Sequence, residues 1–311
     1  MILNLSDLPT LLGLLSFVVA IVFPLVLNWF SGRKKLLELQ LKQDQINRKA
    51  EETLYKAEAI LREVREATSA HHVRPELSTY FAKQWRFIER TFYCRYEKHG
   101  ICRRIVSDYI RTNNTILLDS GSTVDLVTFE LLTSDVENVK VISNNLFAAM
   151  HLLGTARVRF QLLSGWFNDN FAAVYDDEST ARISGLPIDV FILAATTIRF
   201  NEGIMVHDND ISNLSFKASA LKTFQKNKAS TLIIAVDASK FIEPTTRKRG
   251  VLPLAEWQDI CAQECKRIVI VTSTVRYDSK MEERNAIEGE LEKFRNSGIK
   301  ILHAVDFAKN M

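Results

Sequence analysis

The sequence predicts an α/β protein: a mainly parallel sheet flanked by helices, preceded by a single transmembrane helix and a helical stalk. Three features of the 311-residue chain predict this arrangement. A long uncharged apolar run comes first, a stretch rich in helix formers follows it, and short apolar segments then alternate with helical ones. The net charge of +3 is small for this length and gives no indication of a general nucleic-acid surface.

The apolar run covers residues 8–30 and contains no charged residue. Roughly 20 such residues span the hydrocarbon core of a bilayer as a helix. Arg33, Lys34 and Lys35 follow the run, whereas no Lys or Arg precedes it, which is the opposite polarity to a cleaved signal peptide. Because positive charges stay on the cytoplasmic side, we expect residues 1–32 to be a single-pass anchor in the cell inner membrane, with the remainder cytoplasmic. A buried helix of a soluble core is the alternative.

Residues 33–72 contain no Gly or Pro and are rich in helix formers. Apolar residues recur there with the alternating spacing of a heptad seam, at Ala50, Leu54, Ala57, Leu61 and Val64. About two heptads favour a coiled coil only weakly, because three or four are usual. We expect a helical stalk that self-associates into a homo-oligomer, and a helix lying on its own domain is the open alternative.

The third part of the chain, residues 73–311, is expected to be the α/β domain. Its seven strand candidates are residues 115–119, 139–143, 158–164, 189–196, 231–237, 267–273 and 299–305. Helical patterns fit between them, at residues 124–133, 145–153, 214–226 and 281–297. Several strand candidates are apolar throughout, as strands covered on both faces must be. This alternation predicts a three-layer domain whose ligands collect at the carboxyl ends of the strands.

Polar residues cluster at those predicted strand ends. They are Asp119, Ser120, Gly121, Ser122 and Thr123 after the first strand, Ser143 and Asn144 after the second, and Asp237, Ser239 and Lys240 after the fifth. Gly121 permits close approach of a ligand to the backbone, and the amides that follow it open a helix whose positive end attracts an anion. Lys240 adds a mobile cation. The pattern predicts a phosphate-binding site.

Other clusters are weaker candidates. Asp176, Asp177 and Glu178 form an acidic triplet that suits a solvated loop better than a metal site. Residues 247–249, Arg-Lys-Arg, suit an exposed loop better than a lipid or nucleic-acid contact. The four cysteines lack the spacing of a zinc or redox site, so we expect no metal and no cofactor.

The order of these segments resembles a known family. EKHGICRRIVSDYIRTNNTILLDSGSTVDLVTFELL, VKVISNNLFAAMHLL, VRFQLLSG, PIDVFILAATTIRFNEGI, FKASALK and IIAVDASKF are similar to successive parts of the C-terminal effector-sensing domain of DeoR-type sugar-metabolism repressors. That domain shares its fold with ribose-5-phosphate isomerase and coenzyme A transferases. The resemblance covers roughly residues 97–305. It implies that residues 120–123 hold a phosphate, that Ser143, Asn144, Asp237, Ser239 and Lys240 line the pocket, and that Lys217 is a further ligand-binding candidate.

The chain also departs from this family. Its predicted anchor and stalk stand where the repressors have a winged helix-turn-helix, so no nucleic-acid partner is expected. Thr196, Thr197, Ile198 and Arg199 replace the family's aspartate-glycine after the fourth strand, and Ser164-Gly165 replaces paired glycines after the third. These changes leave the ligand open between a sugar phosphate and a nucleotide.

The resulting hypothesis is a membrane-anchored cytoplasmic sensor that binds a phosphorylated small molecule and signals through oligomerisation to its transmembrane helix. One version is a bacterial antiviral defence effector that disrupts the membrane. A membrane-tethered phosphosugar isomerase-like enzyme is an alternative, but we expect no enzyme because Glu202 is the one carboxylate offered after the fourth strand. A scaffold that binds no ligand is the third hypothesis.

Overall fold

A computed structural model describes residues 94–168, 171–208, 210–242, 247–275 and 279–304. The predicted anchor and stalk, residues 1–32 and 33–72, lie outside the described residues. Within the described ranges, no helix combines the length and the apolar character needed to cross a membrane.

Strands and helices alternate along the described chain. The strands are β1 (Thr115–Leu118), β2 (Val139–Ser143), β3 (Val158–Leu162), β4 (Trp166–Asn168), β5 (Ala173–Tyr175), β6 (Val190–Leu193), β7 (Thr197–Arg199), β8 (Gly203–His207), β9 (Thr231–Val236), β10 (Lys248–Gly250), β11 (Ile268–Thr272) and β12 (Lys300–His303). The helices are α1 (Arg95–Tyr109), α2 (Asp125–Thr133), α3 (Leu146–His151), α4 (Asp177–Arg182), α5 (Ile211–Lys226), α6 (Leu254–Glu264) and α7 (Met281–Asn296).

Seven of these strands form one parallel sheet in the order β12-β11-β9-β6-β1-β2-β3. They correspond to the seven predicted strands, so the predicted fold class is confirmed. The main difference lies in their ends: the strand predicted over residues 189–196 stops at Leu193. The chain after it turns away into the separate strand β7.

Alternate residues of each central strand face opposite layers of helices. On one face, Ile116 and Leu118 of β1 belong to a core that includes Ile101 of α1. On the other face, Leu117 belongs to a core that includes Phe216 of α5. Because both faces are covered, most positions of the central strands are apolar, and their continuous apolar runs follow from this burial.

The order of the strands creates a switch point between β1 and β6. The chain runs from β1 outward through β2 to β3, then crosses to β6 on the other side of β1 and continues outward to β12. Connections after β1 and β6 therefore diverge, which leaves a crevice at their carboxyl ends. The loop that contains Gly121 follows β1 at this crevice.

Two small antiparallel units were not predicted. They are the β4-β5 hairpin and the three-stranded sheet β10-β8-β7. Apart from β8, which has five residues, their strands have three residues each, too few for an alternating pattern to show. At Gly165 a Cβ atom would lie 2.1 Å from the Tyr175 carbonyl oxygen, so glycine is required where this hairpin starts. Lys248 and Arg249, expected in an exposed loop, belong to β10 and pair with β8.

Candidate functional site

A buried ion pair between Asp119 and Lys217 links the carboxyl end of β1 to β6 and α5. Asp119 is fully buried and receives the ammonium group of Lys217, itself 2% exposed. The two Asp119 carboxylate oxygens also accept hydrogen bonds from the amides of Ser120, at 2.8 Å, and Ala194, at 2.9 Å. The Lys217 amine donates a second hydrogen bond to the Ala194 carbonyl, at 2.8 Å. Both predicted site residues thus lie beneath the glycine loop.

The glycine loop lies directly against the end of β6. Gly121 has a φ of 157°, and a Cβ atom there would lie 3.0 Å from the Cβ of Ala194. Absence of a side chain therefore lets the loop reach this position. The amide of Asp125 donates to the Gly121 carbonyl at 3.1 Å, and α2 begins at Asp125. The amides of residues 122–124 precede this turn and are suited to an outside acceptor.

Lys98 is a site residue that the sequence analysis missed. It belongs to the first turn of α1, is 3% exposed, and donates from its amine to the Ser122 hydroxyl at 3.0 Å. Burial lowers the pKa of Lys98, and the nearby positive charge of Lys240 lowers it further, although the carboxylate of Asp237 acts in the opposite direction. Lys98 and Lys240 therefore approach one site from two distant parts of the chain.

The turn after β9 carries Lys240 and is shaped by Asp237. One carboxylate oxygen of Asp237 accepts from the amide of Ser239, at 3.1 Å, and from its hydroxyl. The Lys240 amide donates to the Asp237 carbonyl at 3.1 Å. Asp237 is 1% exposed, and its second carboxylate oxygen has no hydrogen-bond partner among the described residues. Ser239 therefore forms its hydrogen bonds within the turn, whereas one carboxylate oxygen of Asp237 can still accept a hydrogen bond.

Ser143, the last residue of β2, and Asn144, which follows it, have different environments. The Ser143 hydroxyl donates to the Leu118 carbonyl, at 2.7 Å, and accepts from the Asn145 amide, at 3.0 Å, so it joins the ends of β1 and β2. Asn144 is fully buried, and neither polar atom of its side chain has a hydrogen-bond partner in the described part of the chain. On the adjoining loop, the Ser120 hydroxyl is hydrogen-bonded to the Tyr175 hydroxyl at 2.8 Å.

Below the loop, Thr123 and Asp125 connect α2 to α1. The Thr123 carbonyl accepts a hydrogen bond from the Cys102 thiol at 3.0 Å. Burial raises the pKa of Asp125 to about 7, against the opposing charges of Arg95 and Lys98. The loop is therefore anchored to α1 through the backbone at Thr123, and Asp125 lies close enough to Lys98 to interact with its charge.

Residues 196–199, which follow β6 and depart from the family pattern, form contacts within the protein. The Lys248 amine donates to the Thr197 hydroxyl at 2.5 Å, and Arg199 forms an ion pair with Glu202 at 3.2 Å. Asp176 accepts from the Ser179 amide at the start of α4. Among the described residues, no group of three or more His, Cys, Asp or Glu side chains is arranged to hold a metal ion.

These contacts define a site suited to anion binding. Lys98 and Lys240 supply positive charge, Ser122 supplies a hydroxyl, and the loop precedes the start of α2, whose positive end attracts an anion. Lys217 belongs instead to the buried pair with Asp119. In the sequence, only the position of Lys98 near the start of a helical segment could have indicated it. The packing of α1 across the sheet brings this lysine to the loop.

Comparison with protein families gives one match, which covers more than half of the chain. The family model for the DeoR C terminal sensor domain matches residues 94–277. This range includes α1 with Lys98, the glycine loop and the turn with Lys240.

Solved structures share parts of the fold at low similarity. Ribose 5-phosphate isomerase from Plasmodium falciparum is 20% identical, with 47% of this chain and 52% of that chain covered and a TM-score of 0.32. The isomerase from Methanocaldococcus jannaschii is 13% identical, with 47% and 54% covered and a TM-score of 0.31. This chain therefore spans about half the length of these isomerases.

A longer alignment is found with the tetrameric eIF2B-beta2-delta2 complex from C. thermophilum. It is 14% identical, covers 82% of this chain and 96% of that chain, and has a TM-score of 0.37. No curated protein matches the sequence.

Proposed function

Because this chain belongs to the family of DeoR C-terminal sensor domains, we propose that it is a sensor for a phosphorylated small molecule, with the phosphate bound between the glycine loop and two lysines. Domains of this family are ligand-binding regulatory domains. The loop amides of residues 122–124 receive phosphate oxygens, and Lys98 and Lys240 neutralise their charge. Thr123 and Ser122 belong to the same loop and complete the anion site.

The observation that carries this proposal is the position of Lys98. Its amine is buried beside Ser122, and the charge of Lys240 acts on it. Two like charges in a poorly solvated site repel each other, so each favours the arrival of an anion. A phosphate removes this repulsion and accepts charge-assisted hydrogen bonds from amines.

A regulatory role is favoured over catalysis. Isomerisation requires a carboxylate positioned to move a proton. Glu202, the carboxylate predicted near the fourth strand of the sheet, is ion-paired with Arg199 at 3.2 Å. We therefore propose a sensor without isomerase activity.

A thermal-shift experiment on the full-length chain in detergent tests the ligand site. A phosphorylated ligand at about one hundred times its dissociation constant adds about 2.7 kcal/mol to the free energy of unfolding. Lys240→Ala is expected to abolish the shift produced by a panel of sugar phosphates and nucleotides. Lys222→Ala is a matched control, because Lys222 is 59% exposed and lies on α5. Equal shifts in both variants would contradict the proposed site.

A role at the membrane is the second part of this proposal. The uncharged run over residues 8–30 and the basic residues after it favour a single-pass inner-membrane anchor with this domain in the cytoplasm. Ligand binding then alters self-association through the stalk, and a single span forms a membrane lesion only as an oligomer. An antiviral defence effector that disrupts the bilayer is the form of output we propose.

Expression in bacteria tests that output. The full chain and a chain without residues 1–32 are induced at matched levels, and membrane potential is followed. Loss of potential is expected only with the full chain. Equal tolerance of both proteins would contradict membrane disruption while leaving ligand binding intact.

A further inference from the structure

Strand β3 is an edge of the central sheet and is more exposed than the opposite edge. It comes last in the strand order, so one side of its backbone pairs with β2 and the other pairs with no described strand. Arg159, Gln161 and Leu162 are exposed along it, whereas β12 at the opposite edge has one exposed residue, Lys300. The unpaired amides and carbonyls of an edge strand form a template for a strand of another chain.

An apolar patch lies at the carboxyl end of β3. Leu162 is 40% exposed, and Trp166 and Phe167 of the following strand β4 are 88% and 59% exposed. Pairing with β5, whose Ala173 and Tyr175 are buried, fixes β4 in this position. Exposed aromatic side chains are enriched where proteins contact one another. Leu162, Trp166 and Phe167, called here the apolar patch, therefore indicate an interface.

Charge is separated along the same edge. Arg157 and Arg159 lie at the start of β3, where both are exposed, and Arg157 donates to main-chain carbonyls rather than to a carboxylate. The acidic residues 176–178 adjoin the other end, because the Ser164 hydroxyl donates to the Asp176 carboxylate at 3.4 Å. The start of this edge is thus basic and its end is acidic.

Within the acidic group, one carboxylate is available for an outside contact. Asp176 caps the start of α4, and Glu178 forms an ion pair with Arg182. Asp177 is exposed and has no ion pair among the described residues. Arg159 is likewise exposed and without an ion pair in the described part of the chain. These two charges therefore remain to be matched by another molecule.

A second copy of the chain matches this pattern by symmetry. A two-fold axis perpendicular to the sheet makes two copies of β3 antiparallel neighbours. Full overlap of the two five-residue strands places Phe160 on the axis and Arg159 opposite Gln161 of the second copy. The basic start of each strand then lies beside the acidic end of the other. A self-complementary edge of this kind favours a second copy over an unrelated protein.

We propose that β3 pairs with β3 of a second copy of this chain, so that the two central sheets join into one. Arg159 of each copy then attracts Asp177 of the other, and the Trp166 ring packs against the arginines at the start of the opposing strand. Burial of two aromatic side chains per copy supplies on the order of half of the area of a stable interface, about 1,200 Å². This contact is independent of the proposed phosphate site and of residues 33–72.

Cross-linking of the full-length chain in detergent tests the pairing. Gln161→Cys places a thiol on the edge of β3, and diagonal neighbours across an antiparallel pair lie about 7–8 Å apart. A bismaleimide reagent with a spacer of this length is expected to join most Gln161→Cys chains into covalent dimers. Lys300→Cys, on the opposite edge, is the matched control. It is expected to give no more dimer than the wild-type chain with its native cysteines.

Charge reversal tests the arrangement of the two ends. In the Gln161→Cys chain, Arg159→Glu and Asp177→Arg each place like charges beside each other across the interface. Each is expected to lower the yield of cross-linked dimer, because like charges on neighbouring strands repel. The two substitutions together restore opposite charges and are expected to restore the yield.

The apolar patch is tested in the same Gln161→Cys chain. Trp166→Glu is expected to lower the yield of dimer, because a carboxylate replaces apolar surface that the second copy covers. Met281→Glu is the matched control, since Met281 is 78% exposed and lies on α7. It is expected to leave the yield unchanged.

Three results would overturn the inference. The first is an equal yield of dimer from Gln161→Cys and Lys300→Cys, because association then does not align the two β3 strands. The second is a double charge reversal that fails to restore the dimer. The third is an equal loss of dimer with Met281→Glu and Trp166→Glu. Each result leaves the phosphate site standing, because its test is the thermal shift produced by ligands.

Discussion

Two lysines on opposite sides of the glycine loop have opposite relations to their surroundings. Lys217 lies beneath the loop, where Asp119 and the Ala194 carbonyl satisfy its ammonium group. Lys98 lies on the other side, beside Ser122, where burial and the charge of Lys240 lower its pKa. Both are almost fully buried, so exposure alone does not distinguish them.

The difference shows what separates a structural charge from a binding charge. The charge of Lys217 is compensated inside the protein, and both oxygens of Asp119 are also hydrogen-bonded. Burial lowers the pKa of Lys98 and the charge of Lys240 lowers it further, whereas Asp237, Cys94 and Asp125 act in the opposite direction. A buried lysine whose pKa is lowered beside a second positive charge is the better candidate for ligand recognition.

Lys217→Met is expected to give the largest change in stability. It leaves Asp119 buried without its counter-charge, which costs about 3–5 kcal/mol in the free energy of unfolding. Chemical denaturation of the full-length chain measures this loss. Adding Asp119→Asn is expected to recover much of it, because an amide oxygen still accepts from Ser120 or Ala194 without a buried charge.

An ion pair with an exposed lysine provides the contrast to this result. Lys228 pairs with Glu264 but is 67% exposed. Lys228→Met is therefore expected to cost no more than about 1 kcal/mol. Similar losses of stability in Lys228→Met and Lys217→Met would contradict a particular role of the Asp119–Lys217 pair in stabilising the site.

Gly121→Ala is expected to have an intermediate effect. The new Cβ atom would lie 3.0 Å from the Cβ of Ala194, so the loop or β6 must shift, at a cost of about 1–3 kcal/mol. Thermal denaturation measures the change, and Ala194→Gly in the same chain is expected to restore part of the stability.

Gly289→Ala tests whether the effect at Gly121 comes from contact. A Cβ at Gly289 meets nothing within 4 Å, and this glycine lies within α7. Its replacement is expected to stabilise the protein by about 0.5–1 kcal/mol, because alanine favours the helix. Destabilisation at Gly289 and none at Gly121 would contradict the packing explanation.

The sequence predicted the central sheet well and the site only in outline. The seven sheet strands were identifiable because burial on both faces makes the central ones largely apolar, although the edge strands β3 and β12 are partly exposed. Strands β4, β7 and β10 have three residues each, too few for a pattern to indicate a strand. Their positions depend on contacts with the rest of the fold.

For the site, chain order identified the strand ends but not the partners of each side chain. Lys217 and Lys240 both appeared as ligand-binding candidates, and only the structure places Lys217 in a pair with Asp119. Lys98 was missed because it comes from α1, whose packing against the sheet had to be known first. No local spacing distinguishes this lysine from an ordinary surface position.

Lys98→Met is expected to have the smallest effect on stability and the opposite sign to Lys217→Met. The pKa of Lys98 is lowered in the folded protein, so its charged form is favoured in the unfolded chain. The resulting penalty is present at neutral pH and disappears as the pH rises through the folded pKa to the unfolded one. Replacement is therefore expected to stabilise the protein at pH 7 by about 1 kcal/mol or less, because loss of the hydrogen bond to Ser122 offsets part of the gain.

The same substitution separates stability from binding. A bound phosphate raises the pKa of Lys98, so wild-type binding takes up protons wherever the pH lies near the pKa of the empty site. Calorimetry in two buffers with different heats of ionisation measures this uptake, and Lys98→Met is expected to lose both the uptake and most of the affinity. Phosphate binding that survives Lys98→Met with unchanged proton uptake would place the anion elsewhere. Reduced stability together with unchanged binding would make Lys98 a structural residue like Lys217.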